Sequence, residues 1–386
     1  MATSGLSAVV GGDIIAPGFR ASNGVSRRPN QVQRTDCVAG KQEQVRNGGL
    51  FMKYLITGIT GFAGPHLANL LIKEGHEVHG LIRHTNGRQT DILDIVSPEN
   101  FEKITFLYGD LVNFRVINSL FREYRFAGVF HLGAQSHPPT SFVDPLGTFE
   151  ANIMGSANLI QAIADNQPEC KLMFCSTSEV YGNVGADRRQ IKTTHPIRPV
   201  NPYGASKAAT DLYLQERFDN KKIRGFITRA FSHTGPRRGR TFSISSDAYQ
   251  LAKMITGDPN RKLRVGNLKT VRVVLDVRDT VRAYYLLMIN NQSDGRIFNV
   301  CGDTPREMGY YTDTLISLSG LGNVAKDVCP KLYRPIDIDY QHGDCEDLVQ
   351  LTGWKPEYDI TTTLGDLLNY WVKKINAGKP DGLKAG

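Results

Sequence analysis

Tyr203-Gly204-Ala205-Ser206-Lys207 places a phenol and an ammonium four residues apart, directly after Pro202. On a helix that the proline opens, both project from one face. The lysine charge is expected to lower the tyrosine pKa, so that a phenolate could accept an alcohol proton while a hydride leaves the same carbon. Upstream, Ser176-Thr177-Ser178-Glu179-Val180-Tyr181-Gly182 brings hydroxyls and a carboxylate into one stretch. Thr177 can hydrogen-bond the oxygen being oxidised. Glu179 adds a group that simple alcohol oxidation does not need. Once a 4-ketone forms, the hydrogen on carbon 5 becomes acidic and a carboxylate could remove it. The resulting acid could then protonate the departing hydroxyl on carbon 6. The alternative for Glu179 is a structural acid that caps a loop.

A second constellation suggests where an electron carrier would sit. A short apolar run at residues 54–57 leads straight into Gly58-Ile59-Thr60-Gly61-Phe62-Ala63-Gly64, and a helical pattern follows. Glycines at this spacing let the backbone turn sharply and approach a pyrophosphate, which the free amides of the next helix can bind. Between a first strand and a first helix, the triplet is specific for a dinucleotide. At the end of the second strand stand Leu81-Ile82-Arg83-His84, where an NAD site usually carries an acid. A guanidinium there pairs with a 2′-phosphate, so NADP is the expected cofactor. Asp110-Leu111 follows the third strand, where Asp110 is either an adenine-side contact or a helix N-cap.

These groups need a scaffold. The spacing predicts strands at residues 54–57, 77–82, 105–108, 128–132, 171–175, 225–229, 271–276 and 296–300. Helices are expected at 65–74, 116–123, 152–164, 202–218, 245–256, 313–319 and 363–374. Continuous apolar strands alternating with helices imply an α/β fold, a Rossmann-like doubly wound parallel sheet. The alternation loosens after about residue 231, which reads as a smaller α/β C-terminal substrate cap over the carboxyl edge of the sheet. The expected division is residues 52–232 with 273–303 for the NADP-binding domain and 233–272 with 304–386 for the cap. Residues 1–51 read as a disordered extension or, being Ser- and Arg-bearing and poor in acids, as a transit peptide into a plastid or other organelle. Without such targeting the location is cytoplasmic.

Composition excludes several classes. The 386 residues are 40% hydrophobic and 22% charged, within the globular range. No apolar stretch approaches the ~18 residues of a membrane span. The net charge of +8 is scattered, which suits an anionic small ligand better than nucleic acid. Six cysteines show no metal-ligand spacing, so no metal site is expected and they read as mostly buried thiols.

The glycine loop, Asp110-Leu111, His131-Leu132-Gly133-Ala134-Gln135-Ser136-His137, the 176–182 stretch and the Tyr203–Lys207 pair together resemble the extended short-chain dehydrogenase/reductases. Within these they are most similar to the GDP-mannose 4,6-dehydratases, over residues 52–375. The resemblance implies an internal redox cycle on a nucleotide sugar with NADP, and a homodimer or homotetramer. By position it assigns catalysis to Thr177, Glu179 and Tyr203, with Lys207 in support. It carries cofactor contacts onto Gly58, Thr60, Gly61, Phe62, Ala63, Gly64, Arg83, Asp110, Leu111, Leu132, Ala134, Ser136, Tyr203, Lys207, His233 and Arg238. Substrate contacts fall on Ser136, Ser178, Arg272, Arg334 and Asp337.

Phe62-Ala63, where the dehydratases usually carry Gln-Asp, and Ser232-His233-Thr234-Gly235 before the Pro-Arg-Arg-Gly lean toward the related 4-keto-sugar reductases. Two further readings therefore stand beside the dehydratase: a reductase or epimerase of the same fold, and a noncatalytic NADP-binding scaffold protein.

Overall fold

The computed structural model describes residues 45–46, 49–84, 88–184 and 189–378. Nearly all of the N-terminal extension expected over 1–51 lies outside them. Seven strands form the central sheet: β1 (Lys53–Thr57), β2 (Glu77–Ile82), β3 (Ile104–Tyr108), β4 (Gly128–His131), β5 (Lys171–Thr177), β6 (Arg224–Ala230) and β7 (Ile297–Val300). All pair in parallel, in the order β7-β6-β5-β4-β1-β2-β3. The chain winds outward from β1 to β3, then crosses back to β4 on the other side of β1. A crevice opens where that order reverses, between the ends of β1 and β4.

Side-chain alternation explains why the strands read as unbroken apolar runs. Tyr54 and Ile56 point into one core and Leu55 into the other; Phe130 and Val129, and Met173 and Leu172, divide the same way. The first face is covered by α1 (Gly64–Lys73), through Leu67 and Leu71, and by α6 (Val277–Ile289), through Val281, Tyr284 and Leu287. The second is covered by α2 (Phe114–Glu123), α3 (Gly155–Asn166) and α4 (Pro202–Asp219), through Phe121, Ile160 and Leu214.

A third core lies apart from the sheet. It is built from α5 (Ser243–Ile255), α7 (Met308–Leu318) and α8 (Ile360–Asn376), around Leu251, Leu315 and Trp371. A short parallel pair, Lys262–Val265 with Ala325–Val328, flanks it. Leu348 and Trp354 lie in the tail but pack into the first sheet core instead.

Two local expectations are corrected. The single strand read at 271–276 is two pieces: Val271–Arg272 pairs with Arg306–Glu307 and Tyr340–Gln341, while Leu275–Asp276 pairs with His233–Thr234. The chain changes sheets there, so one β-branched run serves two partners. The helix read from 152 begins with a wider turn, Glu150–Met154, of π type. Such a bulge aims one side chain differently, and here that residue is Asn152. Its amide donates to the Gln135 carbonyl at 2.9 Å and to the Ser206 hydroxyl at 2.9 Å, joining the loop after β4 to α4.

Behind the sheet edge, Arg229 on β6 and Asp211 on α4 form a fully buried ion pair at 2.9 and 3.0 Å, and the Ser176 hydroxyl donates to the same carboxylate at 2.8 Å. Asp211 therefore fixes α4 against β5 and β6. Asp211→Asn would leave the guanidinium uncompensated, and a loss of about 3–5 kcal/mol is expected in urea unfolding. In the third core, burial raises the Asp247 carboxyl to about 7, while its bond from Thr312 opposes the shift. An acid raised in the folded state contributes stability below its unfolded pKa and loses it as pH rises through the folded value. Measured against Asp247→Asn, which shares every other titrating group, the wild type should therefore lose stability as pH rises from 5.5 to 8.5.

Candidate active site

The crevice begins at Gly58, whose φ of +73° suits glycine. A Cβ there would stand 2.8 Å from the Gly133 amide nitrogen, so the ends of β1 and β4 approach as bare backbone. The Thr57 hydroxyl bridges them, accepting from the Gly133 N–H at 3.0 Å and bonding His131 Nδ1 at 2.7 Å. His131 reaches Ser156 Oγ through Nε2 at 2.9 Å. Burial pushes this imidazole down to about 3, with the Lys207 charge adding to the shift, so it stays neutral. Gly64 lets α1 start against the loop, since a Cβ there would meet the Gly58 carbonyl at 2.6 Å. No side chain caps α1 at Ala63, and such an uncapped helix start is an anion-binding end, although Pro65 contributes no N–H to it.

The remaining residues expected around a dinucleotide lie along this edge. Arg83 is exposed just past β2, beside His84, whose ring stacks on Tyr108 at 4.8 Å. Asp110 is not the N-cap considered from the sequence; Asn113 caps α2, and the Asp110 carboxylate accepts from the Val112 N–H at 3.2 Å. The Leu111 carbonyl is held by Asn158 at 2.9 Å. Leu132, Ala134 and exposed Ser136 line the loop after β4. Thr60, Gly61 and Phe62 form the turn itself. Phe62 stacks on His233 at 5.7 Å, and the Arg238 guanidinium lies between Phe62 and Phe242, 4.8 and 3.5 Å from the ring centres. Burial lowers Arg238 to about 10, and burial with the Arg238 charge lowers His233 to about 4.

Across the crevice, β5 ends at Thr177 and the chain turns through Ser178–Tyr181, with the Thr177 hydroxyl accepting from the Glu179 N–H at 3.2 Å. Asn201 caps α4 by accepting from the Gly204 N–H at 2.7 Å, which fixes the start of the helix carrying Tyr203 and Lys207. The Tyr203 N–H donates to Ser141 Oγ at 3.0 Å. Burial, then Cys175 and Glu179, hold the phenol above its ordinary value, while a bond with Thr177 and the Arg238 charge pull it down. Thr177, Glu179, Tyr203 and Arg238 therefore meet in one place.

Lys207 lies buried one helical turn beyond Tyr203. Its ammonium donates to the Cys175 carbonyl at 2.8 Å and lies over the Phe174 ring at 4.8 Å, and burial lowers its pKa. Arg238 is a cation that acts on the phenol.

Glu179 also has partners that the sequence did not suggest. One carboxylate oxygen accepts from Asn201 Nδ2 at 2.8 Å and the other from Arg334 Nη1 at 3.0 Å. Arg334, expected as a substrate contact, also pairs with this carboxylate. Arg272 reaches Asp337 at 3.3 Å; burial lowers it, Arg334 adds to the shift, and Asp337 and Glu179 oppose it. Ser178 is buried, and its hydroxyl donates to Gln341 Oε1 at 3.3 Å. Among the described residues no group of three His, Cys, Asp or Glu side chains could hold a metal ion. Sequence reasoning missed Asn152 and Asn201. Asn201 was legible as a helix cap, because Asn before Pro-Tyr opens a helix; its second bond, to a residue 22 positions away, was not.

A family model described as GDP-mannose 4,6 dehydratase matches residues 55–367. The GDP-6-deoxy-D-mannose reductase of Pseudomonas aeruginosa is 28% identical over 324 residues, covering 84% of this chain and 98% of that protein. A GDP-mannose 4,6-dehydratase of Yersinia enterocolitica is 28% identical over 350 residues, covering 82% and 92%. One further dehydratase relative is longer, and the chain spans 62% of its length. Among solved structures, RMD from Pseudomonas aeruginosa complexed with NADPH superposes with a TM-score of 0.69 at 26% identity, covering 83% of this chain and 99% of that one.

The Gly58–Gly133 approach is testable directly. Gly58→Ala combines a strained φ with a backbone clash, and a stability loss on the order of 2–4 kcal/mol is expected in denaturant titration.

Proposed function

The chain belongs to the GDP-mannose 4,6 dehydratase family, and from that premise we propose that it converts a GDP-hexose such as GDP-mannose to the 4-keto-6-deoxy sugar. The observation that carries the reading is the convergence of Glu179 with Thr177 and Tyr203, because elimination needs a carboxylate beside the oxidising pair and simple reduction does not.

The residues present fit NADP. The uncapped start of α1 and the backbone of Gly58, Thr60, Gly61, Phe62, Ala63 and Gly64 suit a pyrophosphate. Arg83 suits a 2′-phosphate, Asp110 and Leu111 the adenine, and Leu132, Ala134, Ser136, Lys207, His233 and Arg238 the nicotinamide half. When bound, the dinucleotide supplies a hydride acceptor at carbon 4 and a hydride donor at carbon 6. The protein's own groups handle the protons. Thr177 orients the carbon 4 hydroxyl, and Tyr203 takes its proton under the field of Arg238. Glu179 removes the carbon 5 proton and passes it to the carbon 6 hydroxyl, which leaves as water. The proton held by Tyr203 balances the one that carbon 5 finally regains. Arg272, Arg334 and Asp337 suit the nucleoside diphosphate.

A homodimer or homotetramer is supported by Val143, Leu146, Met154 and Leu212, which are 86, 77, 55 and 53% exposed on neighbouring helices. Among the described residues no helix is long and apolar enough to cross a membrane; the location we propose is the cytoplasm, or a plastid or other organelle if residues 1–51 are a transit peptide.

Purified protein given GDP-mannose and NADP should form the 4-keto-6-deoxy product by mass spectrometry with no net NADPH. Glu179→Gln should slow product formation on the order of 10²-fold. Stoichiometric NADPH consumption on a 4-keto sugar, unaffected by that substitution, would instead identify a reductase, the activity named for the Pseudomonas relative. NADPH binding without turnover would leave the scaffold reading.

A further inference from the structure

Pro236-Arg237-Arg238-Gly239 holds two adjacent arginines with different fates. Arg238 lies between two aromatic rings at the crevice. Arg237 has a left-handed backbone, φ +75°, which turns its side chain away from its neighbour's, and it is 5% exposed. Its guanidinium runs beneath the glycine loop. Nε donates to the Gly61 carbonyl at 3.0 Å and Nη2 to the Thr60 carbonyl at 3.0 Å. Nη1 donates to the Asp91 carbonyl and to the Asp94 carboxylate. The loop carrying Arg237 is tied from a third direction by His66 on α1, whose Nε2 reaches the Pro236 carbonyl at 3.0 Å.

The geometry of a trans peptide gives this a consequence. The N–H of each unit points opposite to its C=O. Carbonyls 60 and 61 drawn down to Arg237 turn the Gly61 and Phe62 amides to the other side. Gly61 N–H closes the turn onto the Gly58 carbonyl at 2.9 Å, and by the same geometry the Phe62 N–H is turned to the side opposite Arg237. Two carbonyl oxygens that would repel a phosphate are at the same time bonded away from it.

The rivet is itself held. The second oxygen of Asp94 accepts from the Tyr370 hydroxyl at 2.7 Å and from Lys374 Nζ at 3.3 Å, and Lys374 also reaches the Tyr370 hydroxyl at 3.0 Å. Both belong to the last turns of α8, in the third core.

We propose that Arg237 is a positioning residue for the dinucleotide's pyrophosphate, and that Asp94, Tyr370 and Lys374 brace it, so that cofactor affinity depends on the end of α8. The proposal rests on the reading that the glycine loop takes a dinucleotide, and it concerns only the loop's shape. A residue that shapes the loop affects the pyrophosphate, which NADPH and NADH share. A residue that touches the 2′-phosphate affects NADPH alone.

The test is direct binding of NADPH and of NADH to the full chain, by calorimetry, for wild type, Arg237→Lys, Arg237→Met, Tyr370→Phe and the Met/Phe double variant. Arg237→Met should weaken both dinucleotides about tenfold or more, by the same factor, leaving their ratio unchanged. Arg237→Lys should fall between, since an ammonium cannot span four acceptors. Tyr370→Phe should weaken both less, and should cost nothing further in the Arg237→Met background. Wild-type affinity in Arg237→Met, loss confined to NADPH, or additive losses in the double variant would each overturn the proposal. Should Arg237→Met not fold, Arg237→Lys and Tyr370→Phe decide by the same ratio. A wild-type chain that binds neither dinucleotide would overturn the functional reading as well, which separates the two failures.

Discussion

Two glycines, Gly58 and Gly133, bring the ends of β1 and β4 together with no side chain between them. That contact is possible because the strand order reverses there, leaving backbone rather than helix at the carboxyl ends of the two strands. The remaining features follow from it. The Thr57 hydroxyl joins the strand ends, and His131 is buried neutral behind them. A Cβ at Gly58 would stand 2.8 Å from the Gly133 nitrogen and push the strand ends apart.

The far wall of the crevice is governed by charge. Glu179 keeps its carboxylate in a buried position because Asn201 and Arg334 each satisfy one oxygen, and a buried charge needs such partners. Asn201 ties this to the catalytic helix, since the same amide group caps α4 and reaches Glu179. Beneath, the Arg229–Asp211 pair locks α4 to β5 and β6. The positions of Tyr203, Thr177 and Glu179 are therefore set by one connected polar network rather than by the loop alone.

Much of the scaffold was legible. β2 has the bounds its apolar run suggested, and the flanking helices follow their caps, with Pro202 opening α4 and Asn201 preceding it. The signal is strong because a sheet covered on both faces has no polar side to interrupt the pattern. The helix α6 was missed although Val277, Val281, Tyr284 and Met288 repeat at helical spacing. It starts directly from the short strand ending at Asp276, with no turn residues to mark the change. The run at 271–276 misled for a related reason: β-branched residues announce extended chain but not which neighbour it will join. Helical spacing puts Lys207 on the same face as Tyr203 without saying which acceptor its ammonium will find, here the Cys175 carbonyl.

What the residues alone determined is local: strand, glycine turn, helix start, and the types of group at the catalytic positions. These are properties of neighbours within a few positions, where backbone sterics and capping act. The tertiary structure decided which long-range partner each group would take. Arg237 and Arg238 are identical in type and adjacent in the chain, yet one shapes the glycine loop and the other stacks at the crevice. Their difference comes from a single positive φ and from carbonyls 176 and 177 residues away. Hydrogen-bond acceptors at that separation are brought within 3.0 Å only when the sheet and the third core have packed.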